Sequence, residues 1–214
     1  MIIKDISKGG FEPTPQGLYP AVCYSVVDVG THDESWLGEP KQRHSMYLTW
    51  ELPTLTIEVE GITKPRAISK KFTKSLHKKA ALRAFLESWR GRGWTENELK
   101  EKGFDMATLL GVNCQLNVVH TEYEDQTYAN VKTIVPLSKG MTRYDVFNQT
   151  VIYDIQDGIN IPEGVPDWLK SKIMGSYEIN MLGQRNDEWG DNEPPQEPPE
   201  GVMREPGDES NLPF

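Results

Sequence analysis

At Ser75 the spacing of apolar residues changes from two to about 3.6, and at Val112 it changes back, so one helical insert interrupts an otherwise β-patterned chain. Upstream, Leu18 to Val29 is rich in β-branched and aromatic residues and closes on Gly30, the composition of a long first strand. Arg43 to Leu52 alternates, with His44, Met46, Leu48, Trp50 and Leu52 on one face and Arg43, Ser45, Tyr47, Thr49 and Glu51 on the other. That predicts a second strand with one face in a core. Between these two strands, Thr31 to Gln42 reads as a loop from its Asp, Glu, Gly and Pro content, with Trp36 and Leu37 at an exposed tip. Thr56 to Val59 and Ile62 to Thr73 flank Glu60-Gly61 and read as a hairpin that supplies the third strand.

Inside the insert, Leu76, Leu82, Phe85, Leu86 and Trp89 share one helical face, with Lys78, Lys79 and Arg83 off it and Gly91 and Gly93 as stops. Trp50, Phe85, Leu86 and Trp89 are assigned to the core. Thr95 to Glu98 carries a capping box, starting a short second helix that ends at Gly103, and Phe104 to Leu110 is a further turn ended by Gly111. Val112 to Tyr123 and Gln126 to Val135 then alternate as a second hairpin around Glu124-Asp125. Three strands, a helix and two strands is the order of a five-stranded Greek-key barrel of the OB type; a small β-sandwich with an inserted helix fits the same pattern. The fold class read from the pattern is therefore mainly β. Residues 1–137 form the barrel domain, with residues 1–17 an unassigned lead-in. Residues 138–186, with a strand near Val146 to Ile155 and a short helix over Pro166 to Met174, have too few apolar positions to fold alone and are expected to pack on it.

Charge divides the chain further. Lys64 to Arg92 holds ten Lys and Arg against the single acid Glu87, a net +9 in a chain whose total is −9. Such a local field attracts polyanions whatever the total charge. Residues 187–214 hold nine acids against Arg204 and are rich in Pro, the composition of a disordered acidic tail. Cys23 and Cys114 lie in separate apolar segments and are expected to be buried free thiols of a reducing cytoplasm. No stretch reads as a signal peptide or a membrane span. A phosphate-binding loop, paired CxxC and HExxH are all missing, and His32, His44, His77 and His120 are scattered. Asp28, Glu51 and Asp105 would form a metal cluster only if the fold gathered them. The expectation is a non-enzyme without metal or cofactor.

The segments GLYPAVCYSVVDVGT, KKFTKSLHKKAALRAFLESWRG and FDMATLLGVNCQLNVVH, with the acidic tail ending in Leu-Pro-Phe, resemble the OB-fold single-stranded DNA-binding proteins of tailed phages. The likeness covers most of residues 15–137 and the last few residues. The tail tip is also similar to that of bacterial single-stranded DNA-binding proteins: Asp208, Glu209, Leu212, Pro213 and Phe214 match, while Ser210 and Asn211 interrupt the acidic run. The resemblance implies a sequence-independent single-strand binder of DNA replication or recombination in a host cytoplasm, with the tail recruiting replication or recombination proteins. The alternative is an interaction domain that does not bind DNA and whose tail is a docking peptide or nucleic-acid mimic.

Single-strand binders of this fold pair cationic grooves with aromatic platforms. The alternation offers Arg43 and Tyr47 from the second strand, Lys64, Arg66, Lys70 and Lys71 on or just past the third, and Tyr128 and Lys132 from the fifth, bordered by Trp36 and Tyr123. Phe72 shares the parity of Arg66 and Lys70 but also of Ile68, so a bulge or a core role is equally open.

Overall fold

The computed structural model describes residues 12–182, apart from residues 37, 38, 60 and 125 and the side chain of Trp36. Its centre is an antiparallel sheet with the strand path β3-β2-β1-β4-β5, formed by β1 (Gly17–Trp36), β2 (Glu39–Val59), β3 (Ile62–Thr73), β4 (Asn113–Tyr123) and β5 (Gln126–Pro136). The path stays open, because no backbone ladder joins β3 to β5 among the described residues. One side chain spans the gap: Lys70 donates from Nζ to the carbonyl oxygen of Val131 at 2.6 Å.

Helix α1 (Ala81–Arg90) packs into the main core of this sheet, against β5 and β3. Its face of Leu82, Phe85, Leu86 and Trp89 is buried, as the 3.6-residue spacing requires, and burial on that scale contributes roughly 6 to 12 kcal/mol before entropy is charged against it. Trp50 is the hub, with its ring centroid 5.7 Å from Phe85 and 5.8 Å from Trp89. Gly91 ends the helix in the left-handed conformation at φ 69°, donating its N–H to Ser88. Helix α2 (Glu96–Lys102) forms both halves of the capping box between Thr95 and Glu98, and a 3-10 turn follows at Met106–Leu109. Trp94, silent in the sequence, is held between Arg90, whose guanidinium lies 4.2 Å from the ring centroid, and Phe104.

The loop expected over Thr31 to Gln42 is instead the end of a long β1–β2 ladder, running from Thr31 opposite His44 to Trp36 opposite Glu39. Its side chains are too polar to show a buried face, so the ladder rests on backbone hydrogen bonds and charge pairs that apolar alternation does not report. β2 also runs through Pro53, within an irregularity between Leu52 and Thr56 where a ladder donor is dispensable.

A second cluster lies on the opposite face of β1. Register shifts after Cys23 and after Asp28 change which residues face which side, so Ala21, Cys23 and Val26 enter the main core while Val27 and Val29 enter the second. Residues 144–182 supply the rest of it. Strand β6 (Val151–Tyr153) pairs with β1 in parallel, from Ser25 opposite Val151, and α3 (Asp167–Met174) buries Leu169 and Ile173. Two devices fasten this extension. The buried Glu51 carboxylate accepts from the Phe147 N–H at 2.6 Å, the Asn148 N–H at 3.1 Å and Asn148 Nδ2 at 2.7 Å. Gly30, at φ 76°, lies so close that a Cβ would meet Glu178 Oε2 at 2.6 Å and Ser176 Cβ at 2.7 Å. No helix among the described residues is long and apolar enough to cross a membrane.

Candidate nucleic-acid interface

The sequence-derived binding residues fall into three groups rather than on one open face. Ile68 and Phe72 fix the parity of β3: both are buried in the main core, so Arg66 and Lys70 point the same way and Lys71 points the other. Phe72 is 4% exposed and its ring centroid is 4.9 Å from Phe85. It is a core residue and offers no platform to a base.

The first group lines the gap between β3 and β5. Lys70 is half-buried with Nζ 5.7 Å and 5.9 Å from the ring centroids of Phe72 and Phe85, and burial lowers its pKa. Long cationic side chains lie along apolar surface in this way, which is how a lysine shares a face with Ile68. The Arg66 side chain, 13% exposed, donates to the Glu12 carbonyl at 2.7 Å and to its carboxylate at 3.3 Å. The lead-in continues to Thr14, whose carbonyl oxygen is 2.8 Å from His120 Nε2 on β4. Residues 12–16 therefore link β3 to β4 and occupy the guanidinium that the groove was expected to offer. Lys64 lies opposite Ile57 at the far end of β3, with no ion pair among the described residues.

The second group sits on the outer surface of β2 and β3. Lys71, opposite Tyr47 in the ladder, pairs with Glu34 on β1, and Arg43 Nε lies 3.3 Å from the same carboxylate. The hydrogen bond from Lys71, opposed by burial and aided by the charges of Lys71 and Arg43, holds the Glu34 pKa below its usual value. Tyr47 was expected on an open face. The extension covers it instead: Trp168 of α3 meets it edge-on, centroids 5.1 Å apart at 85°, and burial pushes the Tyr47 hydroxyl pKa up. Trp36 ends the β1 ladder opposite Glu39; its side chain lies outside the described residues.

The third group is open to solvent. Tyr123 and Tyr128 are 66% and 46% exposed. Tyr123 pairs with Gln126 and Tyr128 with Thr121, so the two rings are diagonal neighbours on one face of the β4–β5 hairpin. Tyr128 donates its hydroxyl to Gln126 Oε1 at 2.7 Å, leaving the ring faces clear of any ring contact among the described residues. Lys132 is exposed at the register shift on the same strand. The tail residues Asp208, Glu209, Leu212, Pro213 and Phe214 lie outside the described residues.

The three acids considered for a metal cluster are separately employed. Asp28 accepts from Lys74 Nζ at 2.6 Å and the Gly30 N–H at 2.9 Å, with His44 Nε2 at 2.7 Å. Glu51 holds residues 147 and 148, and Asp105 accepts from the Ala107 N–H at 2.9 Å. Burial opposes the Lys74 charge, but its bonds to Asp28 and Asp154 outweigh that and hold its pKa above the usual value.

Glu12, Glu34 and Trp168 are the partners that sequence reasoning missed. Each meets its cation or ring from a distant segment, and no local spacing marks the pairing. No protein-family model matches the chain, and a search of curated proteins found no match.

Proposed function

We propose that the chain is a sequence-independent single-stranded DNA-binding protein of phage DNA replication or recombination, built on an OB-type Greek-key barrel. The observation that carries the reading is the exposed tyrosine pair on one face of the β4–β5 hairpin, with Lys132 exposed four residues further along β5 from Tyr128. Two exposed rings on one face suit stacked bases, a cation further along the same strand suits the phosphate backbone, and stacking is indifferent to sequence. The strand path and the helix between β3 and β4, packed against the core, support the OB reading; the lysine reaching from β3 to β5 takes the place of the missing ladder.

The binding surface is correspondingly narrower than the alternation predicts. It comprises Tyr123, Tyr128 and Lys132, with Lys64 as a further phosphate contact and Lys71 and Arg43 joining it when the strand displaces their shared partner Glu34. Arg66, Lys70 and Phe72 support the barrel, and Tyr47 supports the extension. Residues 208–214 recruit replication or recombination partners, the terminal Pro213 and Phe214 acting as a compact anchor below an acidic run.

Titration of a fluorescent dT30 strand tests the reading. Four phosphate contacts, from Arg43, Lys64, Lys71 and Lys132, give log K against log salt a slope of about −2.8. Single strand is bound in preference to duplex. No binding of single strand at low salt would refute the proposal and leave the chain an interaction domain whose tail is its active element.

A further inference from the structure

A cleft of about 400 Å³ opens between the start of β2 and the connection from β3 into α1. Lys41, Arg43 and His44 line it from β2, and Ser75, His77 and Lys79 from the connection, with no Asp or Glu in its walls. The chain as a whole carries 32 acids against 23 Lys and Arg, so this concave wall reverses the balance of the molecule. Neighbouring carboxylates offset part of this lining and leave its lysines alone: Glu34 pairs with Arg43 and with Lys71, Asp28 with His44 and Lys74, and Glu178 with His44 and with the Thr31 backbone and hydroxyl. Lys41 and Lys79 are exposed and form no ion pair among the described residues. Lys78, the next residue in the chain, is instead engaged with Glu96.

The lining contains no Phe, Tyr or Trp, so the cleft has no platform for a base. It does have several cations, a Ser hydroxyl and a concave shape that concentrates their field on an anion. α1 begins beside it with no acidic residue in its first turn to oppose that field.

We infer that this cleft seats backbone phosphates of the bound strand, so that the strand crosses the rim of the barrel beside α1. Lys41 and Lys79 are its unshared charges, and Arg43 reaches into it from the β2 surface. This rests on the proposed single-strand binding and adds to it a path beside α1 that, of the strand-derived residues, Arg43 alone touches.

The test compares full-length wild type, the double variant Lys41→Gln/Lys79→Gln and the control Lys139→Gln/Lys172→Gln, which removes two exposed lysines elsewhere. Each is titrated with dT30 across a salt series, with thermal unfolding as the check on folding. Adding Lys41 and Lys79 to the four contacts above takes the wild-type slope to about −4.2; losing both returns the cleft variant to about −2.8, and the control keeps the wild-type slope. In wild type, dT30 also shifts the imidazole NMR signals of His77. A cleft variant that binds with the wild-type slope and affinity would overturn the inference while leaving the proposed function standing, and so would equal losses in both variants. A wild type that does not bind dT30 removes both.

Discussion

Replacing Tyr47 by Ala should loosen the C-terminal extension and leave strand binding intact. The ring is half-buried against Trp168, centroids 5.1 Å apart in an edge-to-face arrangement. Truncating a fully buried aromatic costs about 3 to 5 kcal/mol, so half burial gives about 2 kcal/mol, of which the ring pair itself supplies about 0.5 to 1.5 kcal/mol. For a protein of this size that is a fall in Tm of about 4 to 8 °C. Tyr47→Phe should change stability by less than about 0.5 kcal/mol, because the hydroxyl makes no hydrogen bond among the described residues. The decisive assay is a double-mutant cycle in urea with Tyr47→Ala, Trp168→Ala and the double variant, followed by circular dichroism, with dT30 titrations in parallel. A coupling energy of about 1 kcal/mol, with affinity per folded molecule unchanged, is the expected result. Wild-type stability combined with about 1 to 3 kcal/mol of lost affinity and no coupling would refute the assignment and make Tyr47 a base platform.

The hairpin tyrosines behave oppositely: Tyr123→Ala and Tyr128→Ala should each weaken dT30 binding by about 1 to 3 kcal/mol with Tm nearly unchanged, and unaltered affinity would remove the platform. Phe72→Ala should destabilise by about 3 to 5 kcal/mol in a urea melt, with titration of the folded fraction showing normal affinity. Stability should fall above about pH 9, since burial pushes the Cys23 thiol up to about 12 and the Cys114 thiol higher still, with Cys23 adding to the second shift. The unfolded chain then loses these protons first, so each thiol costs about 1.4 kcal/mol per pH unit through that window, and Cys23→Ala/Cys114→Ala should flatten the dependence seen in urea melts. Deleting residues 187–214, which carry nine acids and one Arg, should tighten dT30 binding most at low salt, where a tethered polyanion competes best; equal affinities at low salt would end the competition model.

The elements legible in the sequence are those whose burial is local in pattern. The α1 face, the alternation of Met46, Leu48, Trp50 and Leu52, and the Thr95 capping box all report their environment within one or two turns of chain. The outer end of the β1–β2 ladder is unreadable because polar strands and polar loops share a composition. On β3 the parity was visible, but not its sense: Lys70 and Arg66 have stems long enough to share the inward face with Ile68 and Phe72. Tyr47 and Glu51 read as an outer surface because nothing near them in sequence announces that residues 147, 148 and 168 cover them. The basic stretch was visible as charge, yet Arg83 is spent on Glu87 at 2.9 Å and Lys78 on Glu96, so composition alone overstated the cations open to a ligand.

The parallel pairing of β6 with β1 also orders events in time. Ser25 to Val27 present an edge that finds its partner only in Val151 to Tyr153, after the whole main sheet has been made. During synthesis from the N-terminus, the strands of the main sheet and α1 emerge together and can settle against one another, while that edge and the outer surface around Val27 and Val29 wait unprotected. The strand that receives β6 must first be placed by the main sheet, and the pairing joins residues more than a hundred positions apart, which makes the docking of β6 and α3 the late step of maturation. Until it occurs, the nascent chain exposes an adhesive strand edge, and chains stalled or cut before Val151 are the species that chaperones or aggregates would collect.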